Sequence, residues 1–102
     1  WIAFGSQTHG VLSIDDGAAD ALLRKGKSLL PSGIVGVEGE FERGNVVSVQ
    51  TLDGREIGRG MVNYSADEIR AIMGRKTTEI ARILGSKDYD EVIHRNNLSL
   101  IT

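Results

Sequence analysis

The sequence predicts a mainly β fold with short α-helices, an α+β domain built as a small, partly closed barrel of about six strands. Three observations carry this. Residues 46–52 (VVSVQTL) form a β-branched run followed by Asp53-Gly54, a strong hairpin signal. Glycine supplies 13 of the 102 residues and punctuates the apolar runs, as bends and bulges in a small barrel require. Helix start and stop signals enclose only short windows, so the helices belong in the connections.

Taken in order, residues 1–4 (WIAF) read as an apolar strand and residues 5–10 as a polar, glycine-bounded turn, with a hairpin to a second strand at 11–14. His9 reads as a solvated loop histidine at that turn. The chain is organised around residues 15–34 (DDGAADALLRKGKSLLPSGI). Asp15 and Asp16 are N-cap candidates, because a carboxylate accepts from the free N–H groups of a first helical turn. Ala18, Ala21 and Leu22 share an apolar stripe, Arg24 and Lys25 suit the negative helix end, and Gly26 suits the left-handed position after it. Leu29 and Leu30 then enter a loop with two leucines to bury, closed by Pro31 and Gly33.

Residues 34–41 alternate, with Val35, Val37, Gly39 and Phe41 expected inward and Glu38 and Glu40 outward. Residues 43–45 are a turn. The strand at 46–52 and its return at 55–62 make a hairpin, in which Gly58 and Gly60 mark bulges or bends. Ser65 and Glu68 form a capping box, with Tyr64 and Ile69 as a hydrophobic staple, and Ile69, Ile72 and Met73 give that helix its apolar face up to Gly74. Residues 76–84 read as a second short helix with Ile80, Ile83 and Leu84 inward and Gly85 at its end. Residues 89–94 are a mixed segment, Asn96-Asn97 a turn, and residues 98–101 a final strand.

The length gives one domain, residues 1–102, large enough for a modest core without staples. The absence of cysteine excludes disulfides and cysteine–metal sites and agrees with a cytoplasmic location. No apolar run approaches a membrane span, so no membrane partner is expected. A first residue of Trp1 reads as a fragment of a longer protein. Twelve Lys+Arg against 14 Asp+Glu leave a net charge of −2, without the basic excess of a dedicated nucleic-acid binder.

No catalytic constellation emerges, and this chain alone is not expected to be an enzyme. His9 and His94 lack metal-ligand spacing, and Gly54, Gly58 and Gly60 lie in strands with neither phosphate-loop spacing nor a following helix. Glu38, Glu40 and Glu42 would share one outer face, which reads as a solvated surface countered by arginines and not as a cation site. The best interaction candidate is the basic cluster Arg24, Lys25 and Lys27 around Gly26, where cations and backbone could meet phosphates.

Five stretches in order, namely residues 1–4, 15–19, 28–31 with Gly33, 60–65 and 89–95, resemble the PUA domain, a module named after pseudouridine synthases and archaeosine transglycosylases. The nearer likeness is to the PUA domain at the C-terminus of bacterial glutamate 5-kinases, and it covers almost the whole chain. The resemblance implies a PUA-like pseudo-barrel. It further implies an RNA-binding face at Lys25, Gly26, Lys27, Ser28, Leu29 and Leu30, with His94 and Arg95 adjacent. It implies a preceding N-terminal kinase domain that uses ATP and magnesium to phosphorylate L-glutamate in proline biosynthesis, with no cofactor in this chain. The partners implied are that kinase domain, structured RNA, and a homo-oligomer formed through the parent enzyme.

Overall fold

A computed structural model describes residues 8–101. Strand β1 (Gly10–Ile14) leads into helix α1 (Asp16–Lys25), a single 3-10 turn (Pro31–Gly33) and strand β2 (Ile34–Gly39). Strands β3 (Val46–Thr51) and β4 (Glu56–Met61) follow, then helix α2 (Ala66–Ile72), a 3-10 turn (Thr77–Glu79) running into helix α3 (Ile80–Leu84), and a 3-10 turn (Arg95–Asn97) before strand β5 (Leu98–Leu100). The five strands form one mixed sheet in the order β2-β1-β3-β4-β5, with β1 and β3 parallel and the other neighbours antiparallel. The expected strand at residues 1–4 and its hairpin to β1 lie outside the described residues.

Local chemistry sets the element boundaries. Asp15 is the N-cap of α1, its Oδ1 accepting from the Ala18 N–H at 2.8 Å, and Asp16 falls inside the first turn. Gly26 ends the helix at φ 61°, and the Lys27 N–H returns to the Ala21 carbonyl at 3.1 Å. The capping box of α2 is complete: Ser65 Oγ accepts from the Glu68 N–H, and Glu68 Oε1 accepts from the Ser65 N–H at 2.8 Å. The β3–β4 hairpin turns through Leu52-Asp53-Gly54, with Gly54 at φ 85° and the Thr51 N–H donating to the Arg55 carbonyl. Thr51 and Asp53 join by a hydroxyl–carboxylate bond, which with the Arg55 N–H holds the Asp53 carboxyl below the usual carboxylate range.

Three expectations are corrected. Val35 is 48% exposed and Gly39 is exposed as well, where alternation placed both inward. The β1–β2 register slips between Ser13, opposite Gly36, and Ile14, opposite Ile34, so Val35 is the extra residue of a bulge and turns outward. The buried side of α1 is Ala19 and Leu22, while Ala21 faces an open groove. Of the two loop leucines, only Leu29 is buried, at 1% exposure; Leu30 is 44% exposed at the groove. Leu29 is enclosed because its backbone bridges Ile93, whereas Leu30 begins the 3-10 turn on the outer side.

The core lies between the sheet and α2. Leu12 and Ile14 of β1, Val47 and Val49 of β3, and Ile69 and Ile72 of α2 are fully buried, each contributing about 1.5–3 kcal/mol of transfer free energy. Tyr64 and Ile69, the expected staple pair, are both at 0% exposure. Gly58 and Gly60 allow close approach: a Cβ at Gly58 would sit 2.8 Å from the Ser99 carbonyl oxygen, and one at Gly60 would sit 2.7 Å from Ile93 Cγ2. Glu40 meets Arg70 at 3.1 Å, and Arg70 also donates to the Gly39 carbonyl at 2.7 Å. That guanidinium clips α2 over the end of the edge strand β2; of the three glutamates expected to face arginines, it counters Glu40.

Candidate functional site

The connection between α1 and β2 makes a groove because it is pinned at both ends. At one end the Asp15 N–H donates to the Gly33 carbonyl at 3.0 Å. Gly33 has no side chain, and a Cβ there would lie 2.5 Å from that of Ala18, so the 3-10 turn can close on the helix start. At the other end the Leu29 N–H donates to the Ile93 carbonyl at 2.9 Å and the Val92 N–H to the Leu29 carbonyl at 2.8 Å. Between these fastenings the loop stands off the helix.

A strap from the C-terminal part of the chain supplies the second wall. The Tyr64 hydroxyl donates to the Tyr89 carbonyl and accepts from its N–H at 2.9 Å. Thr77 Oγ1 donates to the Asp90 carbonyl, Asn63 Nδ2 to the Glu91 carbonyl, and the Asn63 N–H to the Val92 carbonyl. Val92 and Ile93 are fully buried. These contacts carry the strap to Ser28, whose Oγ accepts from the Arg95 N–H at 2.9 Å and fixes the wall at the groove. His94 Nδ1 accepts from the Asn96 N–H at 3.1 Å, which leaves Nε2 to carry the proton of a neutral ring.

The groove has a volume of about 660 Å³. Six of the eight residues singled out in the sequence line it: Lys27, Ser28, Leu29, Leu30, His94 and Arg95. Lys25 and Gly26 sit at the exposed end of α1, outside the lining. The opposite wall and floor come from Asp15, Gly17, Ala18, Ala21, Ser32 and Gly33, which the sequence reading treated as helix and turn signals only. The signal for them was spacing: small residues at 17, 18, 21 and 33 keep both sides of a strand–helix–loop unit low.

Among the described residues six of the twelve Lys and Arg side chains enter ion pairs: Arg24, Arg43, Arg59, Arg70, Arg82 and Lys87. Among the described residues Lys25, Lys27, Arg55, Arg75, Lys76 and Arg95 enter none, and of these Lys25, Lys27 and Arg95 lie at or beside the groove. The strongly perturbed acids lie elsewhere. The Arg43 guanidinium holds Glu68 down at about 2, and Arg59 with the Ser48 hydroxyl lowers Glu56. The Lys76 N–H and then Arg82 lower Glu79. Among the described residues no group of three or more His, Asp or Glu could hold a metal ion. No helix among them is long and apolar enough to cross a membrane.

A sequence profile of the PUA domain matches residues 10–84. The chain belongs to the PUA domain family. Over 101 residues this PUA domain is 59% identical to the glutamate 5-kinase of Syntrophus aciditrophicus (strain SB), covering 99% of the chain and 26% of that protein. It is 56% identical over 101 residues to the glutamate 5-kinase of Dictyoglomus thermophilum, with 99% and 27% covered. The chain thus spans about a quarter of the length of the curated relatives it matches. Its fold is shared with solved PUA proteins. One from Aeropyrum pernix K1, solved as a tartrate complex, has a TM-score of 0.59 at 24% identity, over 91% of this chain and 42% of that one. One from Thermoplasma acidophilum has a TM-score of 0.57 at 21% identity, over 89% and 46%. A chain of the archaeal box H/ACA sRNP Nop10-Cbf5 complex shares the fold at TM-score 0.57 and 18% identity, over 91% and 23%.

Proposed function

We propose that this PUA domain, residues 1–102 as one unit, is the non-catalytic C-terminal module of a glutamate 5-kinase and tunes the regulation or assembly of that enzyme. The supporting observation is identity of 50–59% across 98–99% of the chain to about a quarter of enzymes that carry that name. On this reading the rest of the parent transfers the γ-phosphate of ATP to the side-chain carboxylate of L-glutamate, with magnesium, in the cytoplasm, at the start of proline biosynthesis. The ATP, magnesium and glutamate sites lie in the kinase portion, and homo-oligomers form through the parent. The test is to delete the segment corresponding to residues 1–102 from the full-length enzyme. Proline inhibition, magnesium response and oligomer size are then measured. A change in at least one is expected, and identical behaviour in all three would leave a structural role only.

RNA binding at the groove is a second reading, supported by Lys27 and Arg95 in its lining and Lys25 beside it, which enter no ion pair among the described residues. It predicts a salt-sensitive shift on transfer RNA or a structured RNA pool. Lys25→Glu combined with Lys27→Glu should abolish that shift, and an unchanged affinity would remove this face.

A further inference from the structure

We infer that the groove between α1, the Lys27–Gly33 loop and the His94–Arg95 wall is a binding site for a small organic anion, a carboxylate carried on an apolar body. The inference deepens the reading of this groove as the ligand face and does not depend on the kinase parentage.

The lining sets two cations, Lys27 and Arg95, against one carboxylate, Asp15, whose Oδ1 is engaged by the Ala18 N–H. Lys27 and Arg95 line the groove and enter none of the ion pairs that occupy half of the domain's cations. Neutral donors stand beside them. Ser28 Oγ uses a lone pair on the Arg95 N–H and keeps its own proton to donate. His94, with Nδ1 engaged by Asn96, offers Nε2–H when neutral. Ser32 adds a hydroxyl on the opposite wall. A carboxylate between two cations and two hydroxyls gains charge-assisted hydrogen bonds on both oxygens.

The floor decides between ligand classes. It is apolar, made by Ala18, Ala21 and Leu29, with Leu30 at the mouth. The volume of about 660 Å³ falls within the span of about 300–1,000 Å³ usual for small-molecule sites. Among the described residues no Phe, Tyr or Trp lines the groove, and the His94 imidazole is the one ring there, so it offers unpaired bases at most a single small stacking surface. Two lining cations match one or two anionic groups better than the row of phosphates along a polynucleotide. The walls are also pre-set by the Leu29–Ile93 bridge and the Ser28–Arg95 bond, so little ordering cost attends binding.

The test is a titration of the 102-residue chain with adipate, citrate, inorganic phosphate and transfer RNA, followed by amide ¹H–¹⁵N spectra. Adipate and citrate should give saturable shifts confined to Gly17, Ser28, Leu30, Ser32 and Arg95. Lys27→Ala with Arg95→Ala should weaken that binding at least tenfold while the remaining spectrum stays that of the folded domain. Arg55→Ala, which removes a cation outside the groove, should leave it unchanged. Absence of localised shifts with both carboxylates would overturn the inference. So would phosphate binding as tightly as adipate, because the apolar floor would then contribute nothing. Shifts with transfer RNA alone would overturn it in favour of the nucleic-acid reading. Binding to the isolated chain with no effect on the full kinase would sink only the regulatory role proposed above.

Discussion

Arg43 grips Glu68 at two points, Nε to Oε1 at 2.9 Å and Nη2 to Oε2 at 2.8 Å. Its remaining arm reaches Asp88 at 2.7 Å, and its guanidinium lies 5.0 Å above the centre of the Tyr64 ring. One side chain thus joins the β2–β3 turn, the first turn of α2 and the start of the strap that walls the groove. The contacts span 25 and 45 positions in sequence, so no local pattern announces them.

The Arg43–Glu68 pair makes stability pH-dependent. The Glu68 carboxyl is lowered from its ordinary 4.5 to about 2, chiefly by Arg43 and secondarily by the Ser65 N–H. A lowered carboxyl contributes stability that is full above the unfolded value near 4.5 and is lost as pH falls toward 2. Glu68→Gln, which keeps the capping box, should cost about 1–2 kcal/mol at pH 7, a figure already reduced because Arg43 is partly in water. Urea denaturation at pH 7, 4 and 2.5 should show the gap to the parent chain closing with acid. Equal stability at pH 7 would remove the pair as a stabilising contact. Asp88→Asn, at a carboxylate half in water, should change stability by less than about 0.5 kcal/mol.

What the sequence disclosed follows from the range of each interaction. Caps and turns act within four residues, so Asp15, Gly26, the Ser65–Glu68 box and the Asp53-Gly54 hairpin were legible. The β1–β2 bulge depends on a partner strand, so the outward turn of Val35 was not. Lys27 was found as part of a local basic cluster, whereas Ser28, Leu29, Leu30, His94 and Arg95 were reached through family resemblance. The opposite wall at Asp15, Gly17 and Ser32 went unread because those residues already had sufficient local reasons to be there. The parallel pairing of β1 with β3 is a non-local choice that period-two alternation cannot specify.

The two strand glycines at Gly36 and Gly58 should respond oppositely to alanine. At Gly58 a new Cβ would lie 2.8 Å from the Ser99 carbonyl oxygen, a backbone atom that moves only if β5 shifts. Gly58→Ala should therefore cost about 1–3 kcal/mol. At Gly36 the nearest atom is Ser13 Cβ at 3.6 Å, an ordinary contact, and φ is not positive. Gly36→Ala should be neutral or should stabilise by up to about 1 kcal/mol, because the unfolded chain loses freedom. Thermal unfolding of the two variants measures the contrast, and equal losses would refute the close-approach account.

Tyr64→Phe separates the hydroxyl from the ring. The ring stays to pack against Tyr89, 6.0 Å away edge to face, and beneath Arg43. The hydroxyl alone satisfies both backbone groups of Tyr89. Its removal should cost about 1 kcal/mol, the scale of hydrogen bonds lost at a partly buried site. Amide hydrogen exchange should accelerate at Tyr89 and along the strap to Ile93 more than in β1 or β3. Uniform acceleration across the domain would show that the hydroxyl supports the whole fold and not the strap.

Asp15 bears on the groove and the helix together, and two substitutions separate the roles. Asn caps a helix about as well as Asp, so Asp15→Asn should lose less than about 1 kcal/mol, while Asp15→Ala should lose about 1 kcal/mol or somewhat more as Ala18 N–H goes unpaired. Both remove a carboxylate from the lining that Asp15 shares with Lys27 and Arg95. If the ligand is an organic anion, both should tighten citrate binding by about two- to fivefold, the scale of one solvent-screened repulsion. Weaker citrate binding in the Asn variant, at unchanged stability, would mean that the Asp15 carboxylate itself holds part of the ligand. The groove would then select a molecule carrying both charges.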